Sequence, residues 1–216
     1  MLDWSWLQRN LSDIGGLLSV HMLLSLIPVI VALALALPIG YLVYRTGAVA
    51  NGLLVVLGLL YSIPSLALFI AMPVFLGTRT LDPLNIVVAL TIYTFALLVR
   101  SVVDGLRSVP DLVKQSASAV GYGRLRRLLR IELPLAMPVI FAGLRVATVS
   151  NIALVSISVL VGQPSLGTLF DQGYNQYFYT PIIVGLVLCV ALALLADALI
   201  LLIQRGTLRW RKAVRA

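Results

Sequence analysis

Charge is the scarcest commodity in this sequence. Only 11% of the 216 residues are Asp, Glu, Lys or Arg, against about 25% in an average soluble domain, which excludes an ordinary water-soluble globule. Histidine and cysteine occur once each, so this chain alone builds neither a disulfide nor a His/Cys metal cluster. The sequence also lacks a phosphate-cradling glycine loop and any Ser/His/Asp arrangement, and so offers no enzyme chemistry and no cofactor site of its own. His21, at the start of the first apolar run, reads as an interfacial polar residue rather than a ligand, and Cys189 as packed or lipid-facing. That apolar run is too long for a cleavable signal peptide and ends at Tyr44-Arg45 without a small-residue cleavage site.

What remains is apolar: 61% of the residues are hydrophobic and the mean hydropathy is +1.05. A helix that crosses a bilayer takes ~20 apolar residues, leaving room for about five spans and no large soluble domain. The expected fold is therefore all-α and polytopic, with spans near residues 21–44, 49–76, 84–103, 134–161 and 180–203. Prolines at 28, 38, 64, 73 and 138 interrupt them, as membrane helices tolerate when neighbours satisfy the freed backbone groups.

The formal net charge of +8 would suggest nucleic acid in a soluble protein. Here the basic residues are segregated into loops, so they report topology rather than nucleic-acid binding. Arg107, Lys114, Arg124, Arg126, Arg127 and Arg130 follow the third span, and Arg205, Arg209, Arg211, Lys212 and Arg215 follow the fifth, which places both stretches inside. Residues 162–179 carry no Lys or Arg, and the 77–83 loop only Arg79, which places both outside. The organisation that follows is an extracytoplasmic N-terminal segment 1–20, a membrane domain 21–203 with a cytoplasmic loop 104–133, and a basic cytoplasmic tail 204–216. The N-terminus is out and the C-terminus in.

The inner loop runs to about thirty residues where other connections are short, and ordered loops of that length tend to be functional. Ser108 and Asp111 are spaced as a capping pair, Pro110 suits a first helical turn, and Gly121 and Gly123 permit a reversal. The spacing predicts one short helix, a turn, a second helix over 124–131, and a span opened by Pro134. Gln115-Ser116-Ala117, three residues, Gly121, nine residues, then Ile131-x-Leu133-Pro134 resembles the EAA signature of ABC importer permeases. Gln115 stands where that family has glutamate, and Ser116 where it has alanine. The resemblance implies a MetI-like permease core in the bacterial plasma (inner) membrane, with Gln115, Ser116, Ala117, Gly121, Ile131, Leu133 and Pro134 coupling it to a cytoplasmic ABC ATPase dimer. It further implies a second permease copy or related permease, an extracytoplasmic solute-binding protein, and ATP and magnesium on the ATPase. Membrane lipid is the expected partner of Arg124, Arg126, Arg127 and Arg130.

A narrower resemblance rests on Ser62-Ile63-Pro64-Ser65-Leu66-Ala67-Leu68, on Leu133 to Ile140 leading into Gly143-Leu144-Arg145, and on Val161-Gly162 before Leu166-Gly167. These look like the permeases of osmoprotectant importers, which carry glycine betaine, choline, carnitine or proline. A methionine-type permease, or a membrane scaffold that recruits a cytoplasmic partner without transport, are the alternatives.

For a zwitterion or quaternary ammonium the path needs hydroxyls, amides and aromatic faces rather than fixed charge. Ser62, Ser65, Thr91, Tyr93, Ser150, Asn151, Ser156 and Ser158 are the candidates, and Asn151 the first choice as a mid-span amide. Arg145 lies ~16 Å along a helix from Pro134 and Asp197 ~12 Å before Arg205, so the two can meet as an ion pair or snorkel separately. The tyrosines near 174–179 suit either an interfacial aromatic belt or a docking surface.

Overall fold

In an apolar solvent the backbone must bond to itself, so the apolar runs of this chain become helices. The computed structural model describes residues 3–47 and 49–208, and helices account for nearly all of them. Helix α1 (Trp4–Arg9) is capped by Asp3, whose carboxylate accepts from the Trp6 N–H. Helix α2 (Leu11–Arg45) starts well before His21, so the N-terminal segment expected outside the span is largely its first turns. Next come α3 (Val49–Tyr61), α4 (Ser65–Leu76) and α5 (Pro83–Arg107). The last opens with Asp82 accepting from the Leu84 N–H and Pro83 in the first turn. The inner loop contributes α6 (Asp111–Ala119) and α7 (Arg124–Arg127), and α8 (Leu133–Val155) continues into a 3₁₀ turn, Ser156–Val161. Helix α9 (Gly167–Asn175) and α10 (Tyr179–Thr207) complete the chain. Part of the basic tail, residues 209–216, lies outside the described residues.

The expected second span is two helices, α3 and α4, meeting at 96°. Pro64 has no N–H to continue the ladder and takes an extended ψ of 127°. Neither helix alone reaches across a membrane, at ~20 and ~18 Å, but end to end the elbow spans roughly 27 Å of a core about 30 Å thick. Its ends show that it crosses rather than returns. Asn51, in the first turn of α3, accepts from Arg107 at the C-terminal end of α5, while Thr78, just past α4, donates to Asn85 in the first turn of α5. Five passes therefore alternate in direction.

Helices α2, α5 and α8 form the packed centre, approaching closely at small residues. A Cβ added at Gly143 of α8 would lie 2.0 Å from the Ser101 Oγ of α5, and one at Gly40 of α2 would lie 2.7 Å from a Val102 methyl. Helix α10 is peripheral, packed on α8 and α9 with only Thr180, Pro181, Gly185 and Ile200 buried.

Two breaks within the spans are met by a side chain from another span. At the elbow the Tyr93 hydroxyl of α5 donates to the Ile63 carbonyl. Where α8 tightens to 3₁₀, the Ser156 N–H bonds Ala153 instead of Ile152. The Ile152 carbonyl so released accepts from His21 Nε2 at 2.9 Å, and His21 Nδ1 accepts from the Leu166 N–H at 3.2 Å. Those partners define a neutral ring protonated on Nε2. His21 is fully buried, not interfacial: its position in α2 faces the one place where α8 changes pitch. Among the described residues no buried side-chain nitrogen or oxygen lacks a partner.

Tyr93→Phe should leave the Ile63 carbonyl unpaired in an apolar setting, at a cost of about 1–3 kcal/mol. A lowered melting temperature in detergent, with normal membrane insertion, is the expected reading; an unchanged one would show that the elbow stands without this bond.

Candidate functional site

The inner loop carries the densest set of features. Ser108 closes α5 rather than capping α6, its hydroxyl donating to the Gly105 carbonyl at 2.7 Å, and α6 begins after Pro110 with no side-chain cap. The expected capping pair does not form, because α5 runs on to Arg107 and claims Ser108 as its own end. On α6, Gln115 and Ser116 face outward and Ala117 is buried. Gly121 adopts φ +88°, and the Tyr122 N–H reaches back to the Ala117 carbonyl at 3.0 Å, a left-handed helix stop that disfavours any side chain. Lys114 lies 5.6 Å from the Tyr44 ring centre and 3.1 Å from Asp111. Burial works to lower its pKa, but Tyr44 and Asp111 outweigh it and the ammonium is held above its usual range. The helix is thereby seated on the inner end of α2.

The return limb differs from the sequence expectation of a separate helix over 124–131. Helix runs unbroken from Arg124 to Val161, 38 residues in all, through a π-turn at Leu128–Glu132 in which the Leu133 N–H bonds the Leu128 carbonyl. The wider turn accommodates Pro134, whose ring and missing N–H would disrupt a regular α-ladder at this point. Ile131, Leu133 and Pro134 are half-buried where the helix meets the bundle. Arg124, Arg126 and Arg130 are exposed, as a lipid-facing set requires. Arg127 is not one of them: it bonds inward to Glu132 at 2.6 Å, drawn by a buried carboxylate. Leu112, Val120, Leu125 and Leu129 stand 55–78% exposed on this loop, an apolar surface that sequence reasoning passed over because the run reads as basic. Their spacing among charges was the available signal.

The candidate path residues separate into groups. Asn151 is buried at the meeting of three helices, accepting from Thr94 of α5 at 3.0 Å and donating to the Ser25 carbonyl of α2 at 3.3 Å. Tyr93 caps the elbow, and Ser158 is buried, donating to the Gln163 carbonyl. These three hold the core rather than face open space. Thr91 bonds back to Val87 within its own helix, and Ser156 lies 3.7 Å from the Cys189 sulfur. Ser62, exposed at the elbow and bonded to Gly58, and half-buried Ser65 and Ser150 remain near the bundle surface. A cleft of about 460 Å³ between α2, α8 and α10 is lined by apolar side chains with Thr148 as its polar member, which suits acyl chains better than a solute.

Arg145 and Asp197 are in contact: Nε to Oδ1 is 2.6 Å and a second guanidinium nitrogen to Oδ2 is 2.9 Å. This fork joins peripheral α10 to α8, while Arg100 and Asp104 make a looser exposed pair at 3.7 Å. On the opposite side of the bundle from the loop, a cleft of about 600 Å³ lies between the first turns of α2 and α9, with Trp6, Asp13, Thr168 and Gln172 on its walls. Tyr174, Tyr177 and Tyr179 are exposed nearby, and Tyr177 is held at φ +51° in the α9 stop.

Two measurements probe these assignments. Reversing the charges, R145D with D197R, should restore transport that each single change lowers tenfold or more; no recovery would leave the pair without a functional role. Gly121→Val should abolish ATPase association while leaving insertion intact, because a β-branched residue resists φ +88°; unchanged co-purification would remove the turn from the docking surface.

Comparison with known proteins adds a family and a set of relatives. Residues 18–209 match the family described as "Binding-protein-dependent transport system inner membrane component". The osmoprotectant import permease protein OsmW of Salmonella typhimurium is 31% identical over 193 residues, 88% of this chain and 90% of its own. The carnitine transport permease protein OpuCB of Listeria monocytogenes is 32% identical over 177 residues, 82% of this chain and 80% of its own. The fold is also that of a chain in inward-facing structures of the MetNI methionine ABC transporter, with a TM-score of 0.82 at 20% identity, covering 92% of this chain and 98% of that one.

Proposed function

We propose a function on the premise that this chain belongs to the binding-protein-dependent transport system inner membrane components. It is the permease subunit of an ABC importer in the inner membrane. In this family the ATPase is a separate subunit and a solute-binding protein delivers the cargo. The solute is a compatible solute of the glycine betaine, choline, carnitine or proline class. Relatives about 31% identical over most of both chains are permeases for osmoprotectants and carnitine, and that observation carries the choice of solute.

The inner loop receives the ATPase. Gln115 and Ser116 are presented outward on α6, Gly121 turns the chain, and the exposed Leu112 and Val120 supply apolar contact. Hydrolysis, with ATP and magnesium, takes place on the ATPase dimer and not on this chain. The basic loop faces the cytoplasm, placing the N-terminus outside and the C-terminus inside. Two permeases enclose the path, either two copies of this chain or this chain and a related one. The elbow at Ser62 and Ser65, together with Ser150, faces that path, since Asn151, Tyr93 and Ser158 are engaged within one subunit.

Reconstitution with its ATPase and binding protein in liposomes, followed by uptake of labelled glycine betaine, choline, carnitine, proline and methionine, tests the reading. Uptake of a betaine-class solute and not of methionine is the expected result. Methionine alone would reassign the solute, and uptake of none by a stable ATPase-bound complex would overturn the transport function.

A further inference from the structure

The docking helix is linked to the membrane helices both along the chain and through side chains. Between α6 and α7 the backbone runs through Val120-Gly121-Tyr122-Gly123, with two glycines that permit bending. Backbone bonds close that turn, from the Tyr122 N–H to Ala117 and from the Arg127 N–H to Gly123, but none of them reaches the start of α8. Arg127 bridges the gap. Its Nε donates to Glu132 Oε1 at 2.6 Å, and one terminal nitrogen donates to the Ser118 hydroxyl at 2.6 Å. Ser118 in turn donates to the Lys114 carbonyl one turn back along α6 at 2.9 Å. One planar guanidinium therefore holds the docking helix, the return helix and the last residue of the π-turn together.

The Glu132 end is anchored in the bundle. That residue is 2% exposed, and it immediately precedes Leu133 and Pro134 at the start of α8. A carboxylate so deeply placed needs a charged, hydrogen-bonding partner, and Arg127 is the one it has among the described residues. The π-turn interrupts the regular ladder at this junction, and the Arg127–Glu132 bond spans it from one side to the other.

The geometry points to Arg127 as the coupling strut of this permease: a positioning residue that makes α6 and the 38-residue helix from Arg124 to Val161 move as one body when the ATPase shifts the docking helix. This inference rests on the transport function proposed above. Arg is suited to the task because its rigid fork serves two acceptors at once, which a lysine ammonium on a flexible stem does not reproduce. Neither Arg127 nor Ser118 needs to touch the ATPase, so breaking the strut should separate hydrolysis from transport instead of abolishing both.

The test uses the full complex in liposomes, with glycine betaine uptake and ATP hydrolysis measured in the same vesicles. For Arg127→Met paired with Glu132→Met, which removes both charges and leaves no buried carboxylate unpaired, the ATPase should still co-purify and hydrolyse within about threefold of the parent. Solute moved per ATP should fall about tenfold or more. Ser118→Ala, which frees only the α6 end and keeps the buried pair, should give a smaller fall in the same ratio. Arg127→Lys should behave like Ser118→Ala. An unchanged ratio in the double variant and in Ser118→Ala would overturn the strut. So would a fall in hydrolysis and uptake together with loss of ATPase binding, which marks a purely architectural role. Failure of the parent complex to take up any solute tested would instead count against the transport function and would be seen before any variant is compared.

Discussion

Every irregularity in this molecule is governed by one constraint: a peptide N–H or C=O released from a helix inside an apolar medium has no water to turn to. Two places deviate within the spans, and at each a side chain from a different pass supplies a missing partner. The carbonyl at the elbow of α3 and α4 is taken by Tyr93 and the Ile152 carbonyl released at the 3₁₀ end of α8 by His21, while Ser165 of the following connection takes the Val155 carbonyl. The outer connections obey the same rule, with Gln163 donating to the Leu81 carbonyl and Asn85 to that of Arg79. The bonds of Tyr93, His21 and Gln163 join residues far apart in sequence, so they select one arrangement of helices among the many that apolar packing alone would permit.

That constraint also explains why much of the polar content of the spans is architectural. Thr94, Asn151 and Ser25 knit three helices at one level, and the Arg145–Asp197 fork secures the peripheral fifth pass. An amide in mid-span looks the same in sequence whether it lines a path or closes a core, because the difference lies in which neighbours face it. Here the closest polar neighbours are complementary and the site is closed. Among the candidate path residues, Ser62, Ser65 and Ser150 are the ones left near the bundle surface without a bond to another pass.

Much of the architecture was legible in the residues. Long apolar runs reveal the passes, and the glycine at 121 marks the reversal of the inner loop. The rise per residue along regular helices places Arg145 and Asp197 at similar depths. Legibility ended where local sequence does not determine the outcome. Pro28, Pro38, Pro73 and Pro138 sit inside continuous helices while Pro64 stands at the N-cap of α4, beside an Ile63 carbonyl that Tyr93 holds from another pass. His21 acquires its role from a change of pitch on α8, and Arg127 turns away from lipid because a π-turn buries Glu132 beside it. The end of the signature at Leu133-Pro134 was readable, but not that helix would continue through it.

The continuous helix from Arg124 to Val161 is regular in its middle and irregular at both ends. Near its midpoint Gly143 leaves room for Ser101 of α5, and the Arg145 fork to α10 lies within a turn of the same level. Towards the loop its ladder widens to a π-turn at Leu128–Glu132, and at the far end it tightens to 3₁₀ over Ser156–Val161. The helix is thus clamped at its waist and changes pitch in opposite senses at its two extremities.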